Sequence, residues 1–466
     1  MTPVGISLEP ELLRRYDTAG PRYTSYPTAP QFSDRFGPPD LAAAIARSND
    51  EPIPRRLSLY VHVPFCESPC FYCGCNRIIT RDKAKAETYL LRLYREIDLA
   101  AKQFDRDREV VQLHFGGGTP NFLSPAQLGE VVEVLRGQFN FSRARDRDIS
   151  IELDPRFVSP PDIAKLADYG FNRASLGVQD FNPEVQAAVN RVQSIEETRA
   201  IVDACKTHGF ESVNIDLIYG LPNQTVDRFK KTLDEVLDIG PDRLAVYGYA
   251  HLPHLFKPQK QLDASLLPTA QTRLRLLQTA IETLTAAGYV YIGMDHFALP
   301  GDSLARAQAA GSLHRNFMGY TTHAETDLLG LGVSAISKIG DTFSQNPRDL
   351  PGWETALDDG RLPVFRGMTL DEDDILRADL IQGLMCQGKV PLTELSNRYQ
   401  IDAASYFQSE LAATAGFEQD GLLQRDEDGL QVTTKGRLFL RNIAMCFDKY
   451  LASRAASTSP TYSRSL

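Results

Sequence analysis

The fold class this sequence predicts is α/β: an open, partial (β/α)6 barrel preceded by an N-terminal arm and followed by a mainly helical C-terminal domain. Three observations lead there. From residue 57 onward, six near-continuous apolar runs alternate with helix-period stretches, the pattern of a parallel sheet covered by helices. Polar and glycine-rich residues gather at the C-terminal ends of those runs, the rim where parallel α/β proteins assemble their sites. Four of the seven cysteines fall within ten residues, on the loop after the first run. Six units are too few for a closed eight-stranded barrel. A flat doubly wound sheet is the alternative architecture.

Composition bounds the function. A chain of 466 residues suits two or three domains. The apolar share of 42% and charged share of 24% are those of an ordinary globular protein, so neither a fibrous nor a disordered class is called for. No apolar run approaches the ~18 residues that span a bilayer. The first residues lack the charged and apolar regions of a signal peptide, and unpaired cysteines in such a chain imply a reducing cytoplasm. A net charge of −10 disfavours broad nucleic-acid or membrane-surface binding. An anionic small substrate would need a local basic pocket.

Taken in order, residues 1–55 form the arm. Gly20-Pro21-Arg22-Tyr23-Thr24-Ser25-Tyr26-Pro27 forbids regular structure there. Composition favours an irregular surface arm over a substrate-contacting flap. A short helix is expected over 40–47. The barrel occupies 56–350, with strands expected at 58–63, 110–115, 148–153, 173–178, 212–218 and 243–249. Helices are expected at 82–103, 124–138, 161–169, 184–208, 225–238 and 269–287. The strands run in turn into the cysteine loop, Gly116-Gly117-Gly118-Thr119, Glu152 with Asp154, and Gln179-Asp180; the fifth carries Asp216, and the sixth leads to Ala250-His251.

Beyond 289, His296 reads as a structural histidine. Arg315, in a loop rich in aromatics and glycine, reads as a carboxylate binder. Residues 351–454 form a separate unit with helices at 371–386, 392–399 and 402–415, a hairpin over 422–432 turning at Asp428-Gly429, and a long helix at 433–453. That arrangement resembles a winged helix. Its acidic residues, among them Glu410, Glu418 and Asp420, favour a lid over a DNA-binding role. The tail, 455–466, is rich in serine and threonine and expected to be disordered.

The cysteines Cys66, Cys70, Cys73 and Cys75 are spaced C-x3-C-x2-C-x-C. A disulfide framework does not suit a long chain of this kind. Structural zinc normally draws on two separated ligand pairs, and no second pair is apparent in the sequence. Closely spaced cysteines on one loop suit an iron–sulfur cluster, with zinc as the competing reading. The triple glycine lets backbone approach a ligand, but no Lys-Ser/Thr follows it, so a nucleoside triphosphate is disfavoured.

The C-x3-C-x2-C spacing with Tyr72 before the third cysteine resembles the signature of the radical S-adenosylmethionine (SAM) enzymes. The wider set of motifs resembles one family within that superfamily, the oxygen-independent coproporphyrinogen III oxidases (dehydrogenases) of haem biosynthesis. These are the arm at Gly20–Thr28, Tyr60 to Asn76, His114-Phe115-Gly116-Gly117-Gly118-Thr119-Pro120, Gly177-Val178-Gln179-Asp180, Asn214 to Pro222, Gly293 to Ala298 and Thr434 to Leu438. The match covers nearly the whole chain. It implies that Cys66, Cys70 and Cys73 ligate three irons of a 4Fe–4S cluster, leaving the fourth iron for SAM. Cys75 then stands free as a catalytic residue.

The resemblance also places Tyr60, Tyr72, Gly117, Gly118, Thr119, Glu152, Gln179, Arg191, Asp216, Ala250 and Ile336 against SAM, of which the family holds two molecules. By charge, Arg191 suits the methionyl carboxylate, and Glu152 or Asp216 suits ribose hydroxyls. The implied reaction is oxidative decarboxylation. A 5′-deoxyadenosyl radical takes hydrogen from the β-carbon of a propionate of coproporphyrinogen III; loss of carbon dioxide and one electron leaves a vinyl group, and two such events give protoporphyrinogen IX. The implied partners are this substrate and an electron donor such as flavodoxin or ferredoxin, with no nucleic acid and no membrane. The implied state is a cytoplasmic monomer. Arg22 and Arg315 are candidates for the substrate carboxylates. The alternative is a related haem chaperone, a class that commonly lacks a cysteine at the position of Cys75.

Overall fold

A computed structural model describes residues 10–454 and Tyr462; residues 1–9 and the rest of the tail, where disorder was expected, lie outside the described residues. The six expected strands form at Arg56–Val63, Glu109–Gly117, Asp148–Leu153, Arg173–Gln179, Ser212–Tyr219 and Arg243–Gly248. Each pairs in parallel with its predecessor in sequence. A doubly wound sheet reverses its strand order at a switch point. This one does not reverse across the six, which excludes the flat alternative.

The sheet stays open and runs on past both ends of the six. His296–Ala298 and Val290–Gly293 add antiparallel beside the sixth strand. On the other side Thr326–Leu331 pairs in parallel with the first strand, followed by antiparallel Ile336–Ile339, Thr342–Gln345 and Arg366–Thr369. The strand at 326–331 is not among the six expected strands. Gly330 sits opposite Tyr60. A Cβ there would come within 2.5 Å of Ile336 O, so the glycine is what lets the chain fold back on itself.

The helices follow their periodicity, with capping boxes at Ser124–Gln127 and Ser194–Glu197. The expected helix at 184–208 is two, Pro183–Ala188 and Ile195–Thr207. Between them Asn190 takes a left-handed conformation (φ 54°), and Ser194 caps a fresh start. The interruption places Arg191 at the barrel rim. The expected long helix at 433–453 is likewise broken, into a 3-10 turn at Gly436–Phe439 and helices Leu440–Met445 and Lys449–Arg454. Gly436 lies so close to Leu422 O that a Cβ would overlap it, and Asp448 turns away to accept from Tyr23 Oη.

Past the expected boundary at 350/351 the chain still packs on the barrel elements. Helix Leu350–Asp358 packs Trp353 against Tyr89 of helix Ala84–Ala101, and Arg366–Thr369 closes the main sheet. Helix Glu372–Gln387 follows. The chain continues through short helices at Leu392–Tyr399, Ala403–Tyr406, Gln408–Ala413 and Ala415–Gln419 and a three-stranded sheet of Lys389–Pro391, Gly429–Val432 and Leu423–Arg425. The arm is not a surface strap. Tyr23 and Tyr26 are 2% and 5% exposed, and the buried Arg441 donates to Gly20 O and Pro21 O. Composition missed this because the burying partners lie some 420 residues away.

Candidate active site

The first strand ends at Val63, and the cysteine loop folds over the open rim beside it. Cys66 and Cys70 are buried, Cys73 is half-buried and Cys75 is exposed. A cavity of about 290 Å³ opens beneath them, lined by all four cysteines and by Tyr72, Gly117, Gly118, Thr119, Glu152, Gln179, Arg191 and Asp216. Eight of the eleven residues expected against SAM therefore meet the thiols in one space. The other three are not part of its lining. Tyr60 stacks on His114 at 5.9 Å and hydrogen-bonds His62 Nδ1 at 3.0 Å. Ala250 O and Tyr72 O both accept from Gln259 Nε2, at 3.1 and 2.9 Å, which ties the sixth strand's exit to the cysteine loop. Ile336 lies across Gly330 from Tyr60, on the second strand out from Tyr60's own.

The loops that build the rim have little spare room. A Cβ on Gly118 would stand 2.8 Å from Phe65 O, and one on Gly117, where φ is +119°, would strike the His62 ring. The backbone of the glycine loop therefore packs directly on the cysteine strand: Thr119 N donates to Phe65 O at 2.8 Å, and the Thr119 hydroxyl lies 3.2 Å from Cys66 Sγ.

Electrostatics divide the thiols. The Cys75 thiol hydrogen-bonds Cys73, which pulls the Cys73 thiol down to about 6 and pushes Cys75 well above its ordinary value. The Cys75 backbone N–H adds a donor 3.3 Å from Cys73 Sγ. Arg191 Nη1 is 3.4 Å from Cys70 Sγ and 3.1 Å from Asp154 Oδ2. Burial raises Cys66 to about 11. Across the cavity Glu152 accepts from Gly117 N at 3.3 Å. Beside it Asp216 accepts from Ser175 Oγ and Asn214 Nδ2 at 3.1 and 2.8 Å, and burial with the Glu152 charge lifts it to about 7.

Two contributors carried no role in the sequence reading. Asp154, noted only as a strand end, bridges Arg156 and Arg191 at the thiol loop. Tyr247 lines both this cavity and a second, deeper one of about 170 Å³ containing His114, His296 and Tyr320. Of the two arginines named for substrate, Arg22 is paired with Asp295 at 3.0 Å, whereas Arg315 is 6% exposed with Nε and Nη1 unpartnered.

Comparison with known proteins agrees with this geometry. Residues 60–236 match the family model of the radical SAM superfamily, and residues 370–439 match that of the HemN C-terminal domain. The chain is 50% identical to an oxygen-independent coproporphyrinogen III oxidase of Pseudomonas aeruginosa, across 96% of this chain and 97% of that one. It is 48% identical to the protein of that name in Escherichia coli K12, across 95% and 96%. A solved structure, described as coproporphyrinogen III oxidase (HemN) from Escherichia coli and a radical SAM enzyme, superposes with a TM-score of 0.90 at 46% identity, covering 96% of this chain and all of that one.

Proposed function

Because the chain belongs to the oxygen-independent coproporphyrinogen III oxidases of the radical SAM superfamily, we propose that it converts two propionates of coproporphyrinogen III to vinyl groups, yielding protoporphyrinogen IX. Each propionate would lose one hydrogen atom, one carbon dioxide and one electron, the last to an acceptor outside the chain. Radical SAM enzymes use a 4Fe–4S cluster and SAM, and the residues here fit both. Among the described residues no three His, Cys, Asp or Glu side chains converge at single-ion distances. Four thiols lining one cavity, with Cys73 drawn toward its thiolate, are the donors such a cluster would take. When bound, the reduced cluster and SAM supply a 5′-deoxyadenosyl radical competent to take hydrogen from carbon.

The chain's own residues bind, orient and shield. Cys66, Cys70 and Cys73 would hold the cluster. The donor bonds onto Cys73 favour its thiolate form, and the Arg191 guanidinium stands 3.4 Å from Cys70 Sγ. Glu152 and Asp216 stand together as acceptors for a vicinal diol such as a ribose. Arg191, already locked by Asp154 and by Gly177 O, offers a positioned cation to a carboxylate. Tyr72, Gln179, Gly117, Gly118 and Thr119 shape the wall, with Tyr60, Ala250 and Ile336 outside its lining. The two-SAM stoichiometry remains part of this reading. So do a flavodoxin- or ferredoxin-type donor, a monomeric state and a cytoplasmic location; among the described residues no helix is long and apolar enough to cross a membrane.

Residues 10–55 serve as a clasp and 370–454 as a cover that keeps water from the rim. The observation that carries the reading is that the thiols, the glycine loop and the carboxylate pair share one cavity. Anaerobic reconstitution followed by mass analysis of coproporphyrinogen III tests it. Loss of two carbon dioxide equivalents per substrate, dependent on SAM and reductant, is expected. A reconstituted protein that binds haem and leaves the porphyrinogen intact would refute it.

A further inference from the structure

The described residues hold one conspicuous buried cation that the reading above does not use. Arg315, on the short strand His314–Asn316, is 6% exposed, and its Nε and Nη1 find no hydrogen-bond partner. Its guanidinium lies over the Tyr320 ring, 4.6 Å from the centroid. From there a ladder of rings runs back toward the cofactor cavity. Tyr320 meets His296 edge-on at 5.1 Å, and His296 meets Tyr247 edge-on at 5.8 Å. Tyr247 lines the thiol cavity itself. At that end Arg22 covers the Tyr247 ring at 5.7 Å, but Asp295 neutralises it. His296 Nδ1 is also buried without a partner, and burial with the neighbouring arginines lowers its pKa to about 3, so the ring is neutral.

A guanidinium removed from water with donors unused is costly unless a ligand completes it. Stacking on Tyr320 offsets part of that cost but consumes none of the N–H donors. Arg315 also borders a cavity of about 560 Å³ walled by Tyr23, Asn316, Phe317 and Lys338. Its acids, Glu325, Asp341 and Asp379, are members of the same wall, and the structure records no ion pair between any of them and Arg315. The planar fork of a guanidinium matches a carboxylate in two parallel hydrogen bonds.

We propose that Arg315, assisted by His296, is the anchor for one propionate carboxylate of the tetrapyrrole, held at the far end of the Tyr247–His296–Tyr320 ladder from the reacting side chain. This rests on the substrate reading above. It assigns the anchoring role to Arg315 alone of the two arginines. Arg22 holds the arm to Asp295 instead.

Binding and turnover separate the two ideas. Coproporphyrin III, the oxidised and fluorescent form with the same four carboxylates, serves as probe, and its tetramethyl ester as the uncharged control. The intact protein, reconstituted with its cluster, is expected to prefer the acid by at least tenfold. Arg315→Gln should lose that preference while retaining iron content and visible absorbance; Arg315→Lys, which keeps the charge but not the fork, should recover part of it. In turnover Arg315→Gln should raise KM for coproporphyrinogen III by roughly 10- to 100-fold, the worth of a charge-assisted bond pair, with a smaller change in kcat. An acid preference unchanged in Arg315→Gln would overturn the proposal. So would a loss of iron in step with binding, which marks a structural role. A wild-type protein that prefers the acid through Arg315 yet turns over no porphyrinogen would sink the substrate reading and keep the anion site.

Discussion

At the residue scale, the site depends on how four neighbouring thiols divide their work. Cys73 is held toward thiolate by two donors from Cys75, and Cys75 keeps its own proton. If Cys75 is not a ligand, Cys75→Ser should retain about four irons per chain and the visible absorbance yet lose nearly all decarboxylation. Cys73→Ser should lose the cluster. Iron analysis of the two variants side by side decides the matter, because iron loss in Cys75→Ser would make it a ligand. Full activity in Cys75→Ser would remove the feature that separates this chain from haem chaperones. Gly118 offers a different kind of test. A methyl group there meets backbone, Phe65 O at 2.8 Å, and backbone cannot step aside. Gly118→Ala is expected to cost about 1–3 kcal/mol in stability and to weaken SAM binding at least tenfold, read by equilibrium dialysis.

At the element scale, one buried carboxylate fastens three segments together. Glu96, 2% exposed on helix Ala84–Ala101, accepts from Gly332 N, Asn346 Nδ2 and Trp353 Nε1 at 2.7, 2.7 and 3.0 Å. It thereby ties the helix to the strand at 326–331 and to helix Leu350–Asp358. Burial outweighs those donors and raises its pKa to about 7 from 4.5. A carboxyl raised on folding binds its proton more tightly in the folded state. Its stabilising contribution is complete below pH 4.5 and is lost as pH climbs through 7. Wild-type stability should therefore fall on the order of 2–4 kcal/mol across that window from this group alone. Glu96→Gln, which cannot titrate, should show a flatter curve in chemical unfolding from pH 5 to 8. Equal slopes in the two proteins would show that Glu96 does not titrate there.

At the scale of the whole molecule, the arm links the barrel to the C-terminal unit. Arg22 reaches Asp295 in the barrel, while Tyr23 and Arg441 hold the arm against the last helices. Arg441→Met leaves the carbonyls of Gly20 and Pro21 buried without donors, at a cost of about 2–4 kcal/mol. Limited proteolysis should then cut within 20–30 before the barrel unfolds, and uncoupled SAM cleavage should rise as water gains the rim. Arm and barrel melting together in both proteins would show that the clasp is not an independent element.

Sequence alone determined the parallel core, since apolar runs alternating with helical periods leave a chain few other ways to bury them. It also made the thiol loop legible, because four cysteines within ten residues need no tertiary context to be seen. Eight of the positions that the family resemblance sets against SAM line one cavity with the thiols. Tertiary structure alone decided the rest. The strand Thr326–Leu331 is invisible locally because its glycines are there for a backbone approach from Ile336, a neighbour rather than a periodicity. Tyr23 is held by Asp448, and among the described residues no ion pair occupies the idle donors of Arg315. Charge pairing and burial are set by residues hundreds of positions apart, and no local pattern encodes which arginine will find its partner.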